Sequence, residues 1–402
     1  MRTVDHPLRD GLNLLDGGWY ADDPHDVWSW LRREAPVYWD DEAQVWGIAR
    51  YDDVLAIEKD PRTFSSAQGP RPHMASMPNM ISMDDPDHRL RRSLLNRGFT
   101  PRAVTELEPL IAEICRSIVD DVCERGECDL VWDIAAPLPL RVIAHLLGFD
   151  PSVQDDLLRW SDDMVRATNP TSSDDLIEKG MNAAIEFREL QLSVIEQRRA
   201  DSRPGLISTL CHAEVEGQRL DDDSIVWETL LLLLGGDETS RHVISGGVFA
   251  LLEHPEQLQH LTADLDRLPL AIEELLRWVS PIKNMARTVT TEVELRGQRL
   301  KAGDQLLLFY PSANRDEAVF DKPDELDLGR EPNPHLAFGF GPHFCLGASL
   351  AKLEVRCMLR EVLTRLPDLQ VASAALPVRA SNFVTGHEAM PVRFTPTERT
   401  AR

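Results

Sequence analysis

The chain has 402 residues, and its 43 Lys and Arg against 67 Asp and Glu leave a formal charge of −24. Hydrophobic content of 43% and charged content of 27% suit a folded globular chain and set intrinsic disorder aside. So acidic a composition lacks the basic surface that phosphate neutralisation requires, which excludes a general nucleic-acid binder. By length alone the chain is two or three domains, or one large enzyme fold.

The first residues, Met1 to Trp19, carry Asp5, Arg9, Asp10 and Asp16 and no apolar core, so neither a signal peptide nor a membrane anchor is expected. A short helix is expected around Asp26–Ala35, stopped by Pro36. Val37–Trp39 and Val45–Ile48 flank the polar turn Asp40–Gln44 as a hairpin. From about Pro86 to Glu253 helices dominate. Ile111, Ile114, Cys115, Ile118, Val119 and Val122 recur at three- and four-residue spacing, and Val142, Ile143, Leu146 and Leu147 repeat the pattern before Gly148. Asp162–Arg166 and Ile185–Arg199 suggest two more helices, separated by the polar segment Asn169–Asp175.

Asp221–Asp223 offer acidic capping for a long helix to about Glu253. Its most apolar run, Leu230–Leu234, is far shorter than the roughly 20 residues a bilayer span needs. Leu268–Val279 reads as a helix ended by Pro281. Thr288–Leu295, Gln298–Leu300 and Gln305–Phe309 read as strands with turns at Gly297 and Gly303. A proline-rich stretch, Pro311 to Pro334, precedes a glycine-rich loop and a last helix over Leu346–Leu366. Helix outweighs strand, and no linker or repeat divides the chain. The six cysteines contain no CxxC pair, so no disulfide framework is expected, and a cytoplasmic location follows.

The chemistry concentrates in Phe338-Gly339-Phe340-Gly341-Pro342-His343-Phe344-Cys345-Leu346-Gly347. Glycines let the backbone turn sharply and approach a ligand closely. A following helix N-terminus favours the thiolate of Cys345, which can act as a nucleophile or a metal ligand. Phe338, Gly341, His343, Cys345 and Gly347 match the FxxGxHxCxG loop of the cytochrome P-450 family, and the chain resembles a bacterial member of it along nearly its whole length. The resemblance implies a mainly α fold with a small antiparallel β portion and a long central helix over a haem. Residues 1–402 would form a single domain, with a helix-rich core at about 84–280 and 346–366 and β-rich parts at about 37–50 and 282–310. It also implies haem b with Cys345 as the axial iron ligand, with Phe338, Gly341 and Gly347 lining its loop. Thiolate ligation suits oxygenation, since the donor favours O–O cleavage.

Gly235-Gly236-Asp237-Glu238-Thr239-Ser240 lies inside the long helix, where two adjacent glycines cost about 2 kcal/mol against alanine. They leave room for a ligand and loosen the helix. The run resembles the family's AGx(D/E)T(T/S) oxygen-activation motif, which implies that Glu238 and Thr239 supply protons while O2 is activated. Asp237, at the free position, reads equally well as a solvated residue. Glu274 and Arg277, three apart on one helical face, resemble the family's buried ExxR pair. Its usual third partner is missing, because Glu325 stands where a basic residue is expected; Arg315 and Arg330 are the candidate substitutes. His88–Arg92 resembles the family's HxxxR segment, and the resemblance implies that His88, Arg92, Arg287 and His343 hold the haem propionates, with Arg91 beside them.

The closer resemblance is to actinobacterial enzymes that hydroxylate the terminal methyl of the cholesterol or cholest-4-en-3-one side chain. It rests on 235–242, on Val279-Ser280-Pro281-Ile282-Lys283-Asn284-Met285-Ala286-Arg287, on 334–338 and on Asn382-Phe383-Val384-Thr385-Gly386. It implies an apolar channel with Met74, Met77, Met80, Ile81, Leu233, Leu234, Gly235, Ile282, Met285, Phe383 and Val384 as wall candidates. Methionine suits irregular apolar space, and a narrow channel would present the methyl rather than its weaker C–H neighbours. No GxGxxG fingerprint or iron–sulfur cysteine spacing is present, so electrons from NAD(P)H are expected through a separate ferredoxin reductase and ferredoxin, docked near Arg97, Arg102 and Lys352. Competing readings are a fatty-acid, other lipid or terpenoid hydroxylase, a peroxide-driven enzyme, and a haem-bound sterol carrier or sensor. A hydrolase with Cys345 as nucleophile needs a histidine base with an orienting partner.

Overall fold

The computed structural model describes residues 4–167, 172–215 and 217–400. The principal helices are α1 (His25–Glu34), α2 (Tyr51–Lys59), α3 (Asp87–Leu95), α4 (Glu108–Asp120), α5 (Pro137–Leu147), α6 (Gln154–Ala167), α7 (Asp174–Ala200), α8 (Asp222–Glu253), α9 (Leu268–Val279) and α10 (Ala348–Arg365). Of the polar segment Asn169–Asp175, Asn169, Pro170 and Thr171 lie outside the described residues. Local chemistry explains the ends. The Asp221 carboxylate accepts from Ser224 N at 2.8 Å, and Asp222 and Asp223 follow in the positive first turn of α8. Gly148 closes α5 in the left-handed region at φ +86°.

The 32 residues of α8 run unbroken through the glycine pair, roughly 48 Å at 1.5 Å per residue. α8 crosses the main helical core, packed by α5, α9 and α10, and its buried residues fall all round it. That burial over most of its length makes it the central strut.

Strands β1 (Val37–Asp40), β2 (Val45–Ile48), β3 (Phe64–Ser65), β4 (Asn284–Val289) and β5 (Gln305–Phe309) form one sheet in the order β1-β2-β5-β4-β3. Two expectations are corrected. The strand placed over Thr288–Leu295 is two elements: β4 starts at Asn284, and Val293–Leu295 pairs separately with Gln298–Leu300. The sheet is also not wholly antiparallel, because β5 pairs β2 in parallel, Leu306 opposite Trp46. β5 is buried on both faces, which reads as the continuous apolar run Leu306–Phe309 rather than as alternation. A second sheet joins Glu127–Asp129, Gln370–Val371 and Pro391–Arg393.

Candidate active site

The cysteine loop is held from two sides. Cys345 N donates to the Phe338 carbonyl at 2.9 Å, which closes the loop on itself. Gly341, at φ +70°, lies so close to α2 that a Cβ there would stand 2.3 Å from the Glu58 carbonyl oxygen. Gly339, at φ +66°, faces the Glu58 carboxylate. These two glycines are thus required by backbone handedness and by protein contact. Gly347 differs: a Cβ there would meet nothing within 4 Å. Burial pushes the Cys345 thiol up, while the Gly347 N–H and Arg92 draw it down. α10 begins at Ala348, three residues after Cys345.

Around this loop the expected anion-binding side chains converge. The His88 and His343 rings are 4.1 Å apart. Burial and then the charges of Arg287, His88 and Arg92 push the His343 imidazole down to about 3. His88 Nε2 is buried with no hydrogen-bond partner among the described residues. Arg92 Nη2 donates to the Phe344 carbonyl, and Arg287 Nη2 reaches Glu58 Oε1 at 3.4 Å. Four cation-forming groups that repel one another, with an orphaned N–H site among them, are the donor set that two carboxylates would satisfy. Together with the half-buried thiol and the open space at Gly347, this fits haem with its two propionates. Glu58, which also accepts from Tyr310 Oη at 2.7 Å, orients Arg287 and was missed in the sequence. No motif signals it.

On α8 the half-buried Leu231, Leu234 and Thr239 and the exposed Gly235 share one side, although the helix lies within the core. A Cβ at Gly235 would meet nothing within 4 Å. This side therefore borders open space. Leu231 belongs to it and was missed; Leu233, expected as wall, is fully buried in the core instead. Thr239 Oγ1 donates to the Gly235 carbonyl at 2.8 Å. Glu238 Oε1 accepts from both Arg241 and Arg379. Asp162 accepts from Arg379 at 2.8 Å and lies 3.8 Å from Arg241. The three-residue spacing of Glu238 and Arg241 was a legible signal for the first pair; Arg379 is too distant in sequence to have one. Asp237 is buried rather than solvated, and burial pushes its carboxyl up to about 6.

Beneath the cysteine loop, Glu274 and Arg277 form the expected buried pair, with Nη2 to Oε1 at 2.7 Å. Arg330 is the third partner: its Nε donates to Glu274 Oε2 at 3.2 Å, and Asn333 Nδ2 donates to the same oxygen at 3.0 Å. Arg315 turns away to Asp324 at 3.1 Å and stacks 4.0 Å over Trp278. Glu325 contributes only its carbonyl, which accepts from Arg277 and Arg330.

Of the other wall candidates, Met77, Ile81, Ile282, Met285 and Phe383 are half-buried, Met80 and Val384 are buried, and Met74 is 42% exposed. Ile282 and Val384 face each other in an isolated antiparallel bridge. Met80 N donates to the buried Glu228 at 3.3 Å, which docks the methionine-rich segment on α8.

The family model for Cytochrome P450 matches residues 164–367. A Steroid C26-monooxygenase of Mycolicibacterium smegmatis is 49% identical over 96% of this chain and 97% of its own. A Methyl-branched lipid omega-hydroxylase of Mycobacterium tuberculosis is 35% identical, covering 97% and 96%. Among solved structures, the Bacillus subtilis bacillaene polyketide synthase cytochrome P450 PksS superposes with a TM-score of 0.88 at 32% identity, covering 96% of this chain and 100% of that one. A helical fold crossed by one long strut, a cysteine loop framed by anion-binding side chains, and near full-length identity to such enzymes lead to one conclusion: the chain belongs to the cytochrome P450 family and is a haem-thiolate monooxygenase that uses O2.

Proposed function

We propose that this enzyme hydroxylates the terminal methyl of a sterol side chain, with cholesterol or cholest-4-en-3-one as substrate. The observation that carries this is the 49% identity, over 96% of the chain, to a relative named for attack at steroid C26. The site agrees chemically. Gly235 and Leu234 on α8, Ile282 just before β4 and Met285 within it, and Phe383 and Val384 in the opposing turn supply apolar surface, where sterol rings and tail gain from leaving water.

Haem supplies dioxygen activation at its iron. Cys345 is the thiolate that holds it, and Arg92, Arg287, His88 and His343 hold its propionates. Phe338, Gly341 and Gly347 shape the loop. Glu238 and Thr239 deliver protons, Glu238 staying positioned between Arg241 and Arg379. Glu274 and Arg277 brace the floor. Residues 1–402 act as one domain. Electrons come from NAD(P)H by way of a ferredoxin reductase and a ferredoxin. Arg102, 90% exposed and paired with Glu106 at 2.9 Å, remains a docking candidate, and Lys352 pairs with Glu273 at 2.7 Å. The enzyme works in the cytoplasm. The helical stretch Leu130–Leu147, apolar enough to cross a membrane, is 72% buried inside the fold.

Titration of the ferric enzyme with cholest-4-en-3-one and with long-chain and methyl-branched fatty acids tests the substrate. Tight low-to-high-spin conversion by the sterol, with hydroxylation at the terminal methyl, is expected. Conversion by a fatty acid but not by the sterol would replace the sterol with the lipid substrate. Cys345→Ser should abolish the far red-shifted Soret band of the reduced, carbon-monoxide-bound protein, and Cys357→Ser should leave it intact.

A further inference from the structure

Arg71 lies between β3 and the methionine-rich segment and is 7% exposed. Its guanidinium forks onto two asparagines from distant parts of the chain. Nη1 donates to Asn284 Oδ1 at 2.7 Å and to the Asn284 carbonyl at 3.2 Å. Nη2 donates to Asn382 Oδ1 at 2.8 Å and to the Asn382 carbonyl at 3.5 Å. Asn284 Nδ2 closes the triangle on the Asn382 carbonyl at 2.7 Å, and Asn382 Nδ2 donates to the Leu15 carbonyl at 3.0 Å. The Phe383 ring centroid is 4.6 Å from Arg71 Cζ. All four acceptors on Arg71 are neutral. A buried cation normally keeps a carboxylate beside it, because leaving a charge unpaired in the interior is costly. Here the planar fork and the ring face take the carboxylate's place.

What the fork joins suggests its use. Asn284 opens β4 between Ile282 and Met285. Asn382 leads into Phe383 and Val384, whose turn is tied back by Lys283 N to the Phe383 carbonyl at 2.7 Å. Pro70, next to Arg71, accepts from Ala286 N at 2.9 Å, and the chain then runs on into the methionine-rich segment. Three separate stretches bearing apolar wall residues therefore meet at one side chain.

We propose that Arg71 is a positioning residue for regiospecificity: its fork through Asn284 and Asn382 sets the spacing of the channel walls and so aims the terminal methyl. The inference rests on the sterol-hydroxylase reading. Lysine keeps the charge and three donors, but one ammonium nitrogen cannot reproduce the planar fork in which two separate nitrogens each hold one asparagine.

Arg71→Lys, Arg71→Met and the milder Asn382→Ala are compared with wild-type holoenzyme. The expected result is a fivefold or larger rise in KM for cholest-4-en-3-one with a smaller fall in kcat, and new products hydroxylated away from the terminal methyl. Hydrogen exchange over 70–83 should quicken, while imidazole affinity for the iron stays within twofold. Wild-type product ratio and KM in Arg71→Lys and Asn382→Ala would overturn the proposal. So would a parallel loss of imidazole binding and turnover without new products in Asn382→Ala, which would make the fork merely structural. If wild-type enzyme hydroxylates only a methyl-branched fatty acid, the sterol reading falls, and the same product ratio on that lipid decides the role of Arg71.

Discussion

Ser240 Oγ donates to Glu354 Oε2 at 2.8 Å, joining the helix that carries Thr239 to the helix that follows the cysteine loop. Glu354 is 3% exposed, and burial pushes its carboxyl up to about 8, with Asp237 adding to the rise. The unfolded chain releases this proton near the ordinary value of 4.5, the folded chain near 8. Between those values the folded state binds more protons, so this group costs stability progressively as pH rises, by at most about 1.4 kcal/mol per pH unit. Glu354→Gln should match wild-type stability near pH 4.5 and exceed it at pH 8. Thermal melts across that window check it; parallel curves for the two proteins would show that the carboxyl is ionised in the folded state.

The Arg330–Glu274 contact separates two charged residues of one segment, Arg330 and Glu325. Arg330 satisfies a fully buried carboxylate, so Arg330→Ala should destabilise by about 3 kcal/mol and speed haem loss. Glu325 is exposed, and its side chain pairs with Lys322 at 3.1 Å. Glu325→Ala should therefore stay within about 0.5 kcal/mol of wild type. Denaturant titration of the two variants decides, and equal losses would place the bracing role elsewhere.

The comparison of pattern with structure follows this contrast. Helices were legible because their apolar spacing and caps are local: Leu268–Val279 matches its expected span, and Asp221 caps the helix it was expected to cap. The cysteine loop and the oxygen-activation run were legible as resemblances because their residues are contiguous. What could not be read is what the fold brings together over long separations. Arg379 on Glu238, Glu58 on Arg287 and Arg330 rather than Arg315 on Glu274 are choices among cations and acids of identical type. Strand β4 was misplaced because Asn284 and Arg287, both buried, interrupt any alternating pattern. Asp237 was misjudged because a carboxylate in a motif's free position carries no mark of burial.

Two glycines make opposite predictions. A Cβ at Gly235 meets nothing within 4 Å, so Gly235→Ala should stabilise by about 1 kcal/mol through helix propensity alone. Gly235→Leu should fill that space, weakening the sterol spin shift while leaving the carbon-monoxide band intact. A Cβ at Gly386 would instead stand 2.1 Å from His242 Nδ1, a ring buried to 2%. Gly386→Ala should cost about 1–3 kcal/mol by overpacking and displace the Phe383–Val384 turn. Denaturation midpoints for the two alanine variants should move in opposite directions; a shift of the same sign would put the open space somewhere other than beside Gly235.

Glu238 and Thr239 carry the prediction closest to the chemistry. Thr239 Oγ1 is anchored on the Gly235 carbonyl, and Glu238 is gripped by Arg241 and Arg379. Thr239→Ala removes the hydroxyl without removing charge, so enzyme reduction should continue while electrons leave as released hydrogen peroxide instead of hydroxylated product. Glu238→Gln removes a group able to take up and release a proton, so kcat should fall about 100-fold, the lower end for losing a positioned acid–base group. Asp162 still bonds Arg379 at 2.8 Å in that variant, so the fold should persist with a normal carbon-monoxide spectrum. The solvent isotope effect on kcat should rise, because proton supply becomes the slow step. Product formed per NAD(P)H consumed separates the two roles: low coupling with normal consumption is expected for Thr239→Ala, slow consumption for Glu238→Gln. Wild-type coupling in Thr239→Ala would remove that hydroxyl from the proton path.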